Sequence, residues 1–407
     1  MTPKVGKCSG APMTDWAGAL GYHRPMTIAR AALPPPTAEQ NAVSTRLRAL
    51  VAADIEAAGG WIPFDRYMQL VLYAPGLGYY AAGATKLGTA GAGGDFVTAP
   101  EISPLFAYAL AHQIAQVFEH VPRRIVEFGA GSGRLAGDLL AALRTCGYEC
   151  EQYSIVEVSA ELQERQRSRL AGERVEWLTA APRDFAGAML ANEVLDVMPV
   201  RLFVKREGAA LERGVAMRDG AFCYAERAAP ADLLAAVDEI EHEVGPLPDG
   251  YASELGLAAR AWVRSVADWL DRGLVLLIDY GFPRREYYHP QRLMGTIMCH
   301  YRHHSHADAL WLPGLNDVTA HVDFTAMADA AAGAGLQIMG YTTQAHFLLN
   351  CGLVERLTDT PLPAESSAVQ RLISEAEMGE LFKVLALGRG IVQPLLGFAR
   401  GDRTARL

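Results

Sequence analysis

A chain of 407 residues, half of them hydrophobic and a fifth charged, can bury a sizeable core, which excludes global disorder. Its formal net charge of −9 argues against a general nucleic-acid binder. The six cysteines are scattered: Cys146 and Cys150 form a C-x3-C pair with no second pair to complete a zinc site, so a reducing, cytosol-like compartment fits best. No apolar run reaches the ~18 residues of a membrane span.

Residues 1–36 carry Lys4, Lys7, Arg24 and Arg30 against a single acid, Asp15, and end in Pro34-Pro35-Pro36. They lack the apolar region of a secretory signal and read as a disordered extension, with a transit peptide as the alternative. Helical spacing is found over 39–58 (Val43, Leu47, Leu50, Val51, Ile55) and over 62–73. The segment 76–94 is rich in glycine and tyrosine, a composition that marks a functional or disordered loop. Ser103-Pro104 then reads as an N-cap with proline at the first helical position, opening a helix through Phe118.

From residue 124 the pattern alternates short apolar strands with helices: strands at 125–128, 153–158, 175–178 and 188–191, and helices at 135–140 and 162–170. Such alternation predicts a parallel sheet covered on both faces. Residues 201–224 instead read as an antiparallel meander broken by Gly208, Gly214 and Asp219-Gly220. Helices are expected at 232–243 and 253–270, a buried strand at 274–278, an irregular insertion over 282–316 and a helix at 324–332. Residues 337–341 and 345–349 are expected to form a final pair of strands.

The chemistry concentrates in Arg124–Leu140, RIVEFGAGSGRLAGDLL. A buried strand, glycines at 129, 131 and 133 and a helix start form a turn whose amides face a ligand. The nicotinamide and flavin fingerprint G-x-G-x-x-G is not met, because Arg134 stands where its third glycine belongs. Glu127 lies two residues before the first glycine, and Glu157 ends the next strand at about the offset where a carboxylate takes ribose hydroxyls. E-x-G-x-G-x-G followed by an acidic strand end resembles the S-adenosylmethionine (SAM) site of class I methyltransferases.

Further motifs extend the resemblance. GGDFVTAPEISPLF (93–106), VEFGAGSGRL, ANEVLDVMPV (191–200), LLIDYG (276–281) and DVTAHVDF (317–324) occur in the order of one group. The chain resembles the MidA-type SAM-dependent methyltransferases over roughly residues 40–400, several motifs in order being more specific than one. Mitochondrial members of that family methylate an arginine on a respiratory complex I subunit during assembly. The resemblance implies a Rossmann-like, seven-stranded class I methyltransferase sheet with an N-terminal helical extension and inserted antiparallel strands. The expected division is an extension at 1–36, a helical and glycine-rich region at 37–120, the first half of the SAM-binding core at 121–200, an inserted substrate-side subdomain at 201–272, and the second core half at 273–407.

By the same resemblance, Glu127, Gly129, Gly131, Gly133 and Glu157 hold SAM, and Asp95 and Glu101 cover the cofactor side of the pocket. Tyr79 and Tyr80 belong to a lid. Asn192, Glu193 and Asp196 follow an apolar strand, and two carboxylates three apart can grip a guanidinium through charge-assisted bonds, so they are the catalytic candidates. Asp279 and His321 are expected at the substrate. His300, His303, His304 and His306 match no standard zinc spacing, and no metal site is expected. The implied partner is a protein substrate, a complex I subunit or its equivalent; oligomeric state, a homodimer included, is left open. Location is cytoplasmic, or the mitochondrial matrix if the extension is a transit peptide. Methylation of a small molecule or of another residue, and a non-catalytic assembly factor on the SAM fold, remain open beside the arginine reading.

Overall fold

The computed structural model describes residues 33–81, 98–357 and 363–407. Most of the extension at 1–36 and of the loop at 76–94 lies outside the described residues. The described residues divide into two compact units: 33–81, 197–258 and 284–320 form the first, and 98–196, 259–283, 321–357 and 363–407 the second.

The second unit is built on one sheet. Its strands are β1 (Arg124–Phe128), β2 (Gln152–Val156), β3 (Val175–Leu178), β4 (Phe185–Asn192), β5 (Leu270–Phe282), β6 (Gln337–Thr343) and β7 (Phe382–Arg389). They lie in the order β3-β2-β1-β4-β5-β7-β6, with a two-residue strand, Val322–Asp323, added beside the end of β5. β1 to β5 are mutually parallel and β7 runs antiparallel to both its neighbours. This is the seven-stranded sheet implied by the resemblance.

Apolar runs rich in branched side chains make the central strands: Ile125, Val126, Ala188, Leu190, Leu274 and Leu276 are buried, as strands covered on both faces require. Leu110 and Ile114 of helix Pro104–Phe118 and Leu139 and Leu143 of helix Arg134–Thr145 join the same core. Ser103 caps the first of these helices, its hydroxyl accepting from the Leu105 amide, and Pro104 stands at its first position. Near the start of β5, the register places Gly273 against Gly187 of β4, and a Cβ on Gly273 would lie 1.9 Å from the Gly187 carbonyl oxygen.

Residues 345–349 are not a strand; they lie in helix Gln344–Asn350, capped by the Thr343 hydroxyl. Gln344, Phe347, Leu348 and Cys351 are buried, a helical spacing that the alternation of Ala345, Phe347 and Leu349 hides. The strand that pairs with β6 is β7, whose continuous apolar run carries no period to read.

The first unit carries the antiparallel insertion. Strands Trp61–Pro63, Arg201–Arg206, Ala209–Arg218, Ala221–Ala228 and Ala252–Leu255 form a five-stranded sheet. Helix 62–73 therefore starts later than its spacing suggests, at Phe64, and helix 253–270 at Leu257, because the residues before each pair as strands. The 282–316 insertion is not wholly irregular. Met298–Tyr301 and His304–His306 make a hairpin whose turn residues, Arg302 and His303, have φ of 47° and 65°, so the usual Asn-Gly signal is missing. Tyr79 is buried, and the Tyr80 hydroxyl donates to Asp317 at 2.8 Å within this unit. Among the described residues, no helix is long and apolar enough to cross a membrane.

The β4–β5 crossing gives a direct test. Gly273→Ala places a methyl group against the Gly187 carbonyl at φ of 146° and should destabilise the protein by about 3 kcal/mol or more. Gly333→Ala, at a helix end with nothing within 4 Å of the new Cβ, should leave stability within about 1 kcal/mol of wild type. Chemical denaturation of both variants checks the contrast; equal losses would contradict it.

Candidate functional site

Register brings the site together. Phe128 at the end of β1 pairs with Val156 of β2 on one side and Ala191 of β4 on the other, and Asn192 of β4 pairs with Ile278 of β5. Gly129, Glu157 and the residues after Asn192 consequently all leave the sheet at one edge, and Asp279, still within β5, stands level with them one residue beyond Ile278. That edge is the carboxyl end of parallel strands, and the strand order reverses there between β1 and β4, the usual place for a ligand in an open α/β sheet.

Gly129, Gly131 and Gly133 have φ of 63°, 53° and 77°, which other L-residues rarely adopt. Gly133 is the N-cap of helix Arg134–Thr145, and a Cβ on Gly129 would meet Val194 at 3.1 Å. The loop is braced through Ser132, whose hydroxyl donates to Glu101. Glu157 is buried: Oε1 accepts from the Ser159 amide at 2.9 Å and Oε2 from Gln166 Nε2 at 3.2 Å. Burial pushes its pKa up, and those donors oppose the rise. Val158 beside it is 79% exposed, an apolar side chain standing in solvent next to the acid.

Glu127 lies one residue inside β1 and is buried, its Oε2 accepting from the Tyr153 hydroxyl at 2.6 Å. Burial lifts its pKa to about 7; the tyrosine bond works against that rise, and the charge of Glu157 adds to it.

After β4 the chain turns sharply. Glu193 takes φ of 54°, a strained value for a residue with a side chain, and its amide donates to the Ile278 carbonyl at 2.9 Å. Asp279 pins the next residues of the turn: Oδ2 accepts from the amides of Leu195 and Asp196 at 2.9 and 3.2 Å, and Oδ1 from the Tyr280 amide at 2.9 Å. Its pKa stands well above the usual carboxylate range, first through burial and then through the charges of Asp196 and Glu193. Asn192 donates from Nδ2 to Glu193 Oε1 at 3.2 Å, while its Oδ1 is buried with no hydrogen-bond partner. The strand end thus gathers three carboxylates and an orphaned carbonyl, with Asp196, Asp279 and the Asn192 Oδ1 atom buried.

His321 belongs to the same unit, its ring 5.2 Å from that of Tyr280 and 5.3 Å from that of Phe282. Asp95 lies outside the described residues. In the first unit, His306 is buried and hydrogen-bonded to Asn316 at 3.1 Å and to the Asp308 amide at 3.2 Å, a bonding pattern that suits a neutral core imidazole. Among the described residues, no three His, Cys, Asp or Glu side chains gather to hold a metal. Sequence reading misses Ser132, Tyr153, Gln166 and Trp177, whose roles come from partners distant in the chain.

The residues fit a SAM site: a glycine turn of positive φ, an acid at the end of β2 with acceptor capacity left, and an apolar side chain beside it. Comparisons with known proteins agree. A family described as "Putative S-adenosyl-L-methionine-dependent methyltransferase" matches residues 109–342. Protein arginine methyltransferase NDUFAF7, mitochondrial, from Mus musculus is 30% identical over 86% of this chain and 86% of its own length; its Bos taurus counterpart is 29% identical over 86% and 85%. A Burkholderia thailandensis crystal structure bound to S-adenosyl-homocysteine is 50% identical, with a TM-score of 0.88 over 92% of this chain and all of that one. The chain belongs to this family of SAM-dependent methyltransferases.

Proposed function

We propose that the enzyme methylates the guanidinium group of an arginine in a protein substrate. The observation that carries this reading is the acceptor-rich end of β4, where Glu193 Oε1 accepts from Asn192 Nδ2, the buried Asn192 Oδ1 has no hydrogen-bond partner, and the buried acid Asp196 follows in the same turn. A guanidinium is a planar set of five N–H donors with no acceptor, and it suits such a site better than a neutral or anionic group. The names of the Mus musculus and Bos taurus relatives support the same substrate. We extend the reading to a respiratory complex I subunit or its equivalent, following the resemblance. The compartment would be the mitochondrial matrix where residues 1–36 serve as a transit peptide, and the cytoplasm otherwise.

SAM supplies an electrophilic methyl group carried on a sulfonium. The chain's own part is to hold the cofactor, aim a nitrogen and take the proton that nitrogen sheds. We assign the glycine turn and Glu157 to the cofactor, Glu157 taking the ribose hydroxyls, with Glu101 steadying the turn through Ser132. Glu193 and Asp196 grip the guanidinium, concentrate its lone pair on one terminal nitrogen, and accept the released proton. Asn192 orients the clamp, its Nδ2 donating to Glu193 Oε1. Asp279 acts through the backbone, holding the amides of Leu195 and Asp196 so that the acids keep their spacing. His321 we keep as a substrate-side residue, beside the Tyr280 ring.

Glu193→Gln and Asp196→Asn should each lower kcat/KM for the protein substrate by about 10- to 100-fold, the cost of one charged hydrogen bond. Binding of S-adenosyl-homocysteine, read by calorimetry, should stay within about twofold of wild type. Full turnover in both variants would end the clamp assignment.

Glu127 predicts a pH signature in the cofactor-free protein. Its folded pKa is raised, from 4.5 to about 7, so ionisation costs stability as pH climbs through that window, and nothing is lost below it. Relative to wild type, Glu127→Gln should gain roughly 3 kcal/mol in stability between about pH 4.5 and pH 8. Denaturant midpoints across pH check this; a difference that does not change with pH would contradict it.

A further inference from the structure

Helix Ala160–Arg169, which follows β2, is strongly polar and buries one side chain, Gln166, at 0% exposure. Its amide touches three separate elements. Gln166 Oε1 accepts from the Trp177 indole N–H at 2.9 Å, on β3. Its Nε2 donates to the Gly131 carbonyl at 3.0 Å and to Glu157 Oε2 at 3.2 Å. The indole nitrogen can only donate, so the amide oxygen must face it and the NH2 must face the other two. Trp177 is itself held on its ring face by the Arg167 guanidinium, 4.4 Å from the ring centroid. The glycine turn leaves room for the side chain, since even a Cβ on Gly133 would come to 3.4 Å from Gln166 Cγ.

Packing alone does not account for an amide here. An apolar side chain of the same size would fill the space but would leave the Trp177 indole N–H, the Gly131 carbonyl and Glu157 Oε2 without this partner. What the amide adds is a bridge between the carbonyl of the glycine turn and the strand-end acid.

We propose that Gln166 is a positioning residue for cofactor binding: oriented by Trp177, it locks the Glu157 carboxylate to the Gly131 carbonyl, so that the acid and the glycine turn meet SAM as one rigid surface. The inference rests on the reading of Glu157 as the ribose ligand. It assigns β3 and helix Ala160–Arg169 a part in cofactor affinity although neither supplies a ligand.

A double-mutant cycle tests it, with calorimetric Kd for S-adenosyl-homocysteine measured on wild type, Gln166→Met, Glu157→Gln and the double variant. Each single change should weaken binding about tenfold, and the double variant should be no more than about twofold weaker than Glu157→Gln alone. In turnover, the Gln166→Met loss should fall on KM for SAM and not on kcat. Wild-type affinity in folded Gln166→Met, or losses that multiply in the double variant, would overturn the inference while leaving the Glu157 reading in place. Wild-type affinity in Glu157→Gln would instead overturn that reading, and the inference with it. Should Gln166→Met fail to fold, Trp177→Phe keeps both Gln166 and an aromatic ring while freeing the amide to turn. It should weaken binding about threefold or more, and unchanged affinity would overturn the proposal.

Discussion

Everything at the site depends on where three parallel strands stop beside a fourth. Phe128 is paired with both Val156 and Ala191, and Asn192 with Ile278, so β1, β2 and β4 end together at one edge while β5 runs on beside them to Phe282. A slip of one residue between β1 and β4 would turn every side chain of one strand to the other face. It would also part the glycine turn from the acids after β4. The close approach of Gly187 to Gly273 fixes the β4–β5 half of this register, because a side chain at either position would collide with the other strand or with Arg124.

The edge is kept at a cost in stability. Glu127, Glu157 and Asp279 are buried carboxylates with raised pKa values, and Glu193 sits at φ of 54°. Each would be relieved by a simpler residue, and perturbed carboxyl groups and backbone strain concentrated at one strand edge mark a functional site. Backbone amides and neutral side chains hold these acids in place. Ser159 and Gln166 serve Glu157, Tyr153 serves Glu127, and the amides of Leu195, Asp196 and Tyr280 serve Asp279. Hydrogen bonds of this kind orient a carboxylate without cancelling its charge, as a salt bridge would.

Much of this is legible in the amino-acid sequence. The glycine turn, Glu157 and the Asn192–Asp196 run each come directly after a strong apolar strand, so local pattern alone puts them at strand ends, and alternation of strands with helices gives the parallel sheet. The hidden part depends on distant partners. Gln166 reads as one more polar residue on a charged helix until Trp177, Gly131 and Glu157 are set around it. Asp279 reads as a pocket residue, whereas its oxygens accept from backbone amides, a bonding that no side-chain pattern announces. β7 escapes because a strand buried on both faces has no period, and the 298–306 hairpin because Arg302 and His303 occupy turn positions usually given to glycine or asparagine.

The central claim is that the acceptor-rich end of β4 selects a guanidinium. The most direct measurement is amino-acid analysis by mass spectrometry of a proteome incubated with this enzyme and methyl-labelled SAM, the proteome being taken from cells that lack the enzyme. The account predicts label on arginine side chains, and its disappearance when Glu193 and Asp196 are replaced together by Gln and Asn. Label on lysine, on a carboxylate or only in small molecules, or arginine label that survives the double replacement, would contradict it.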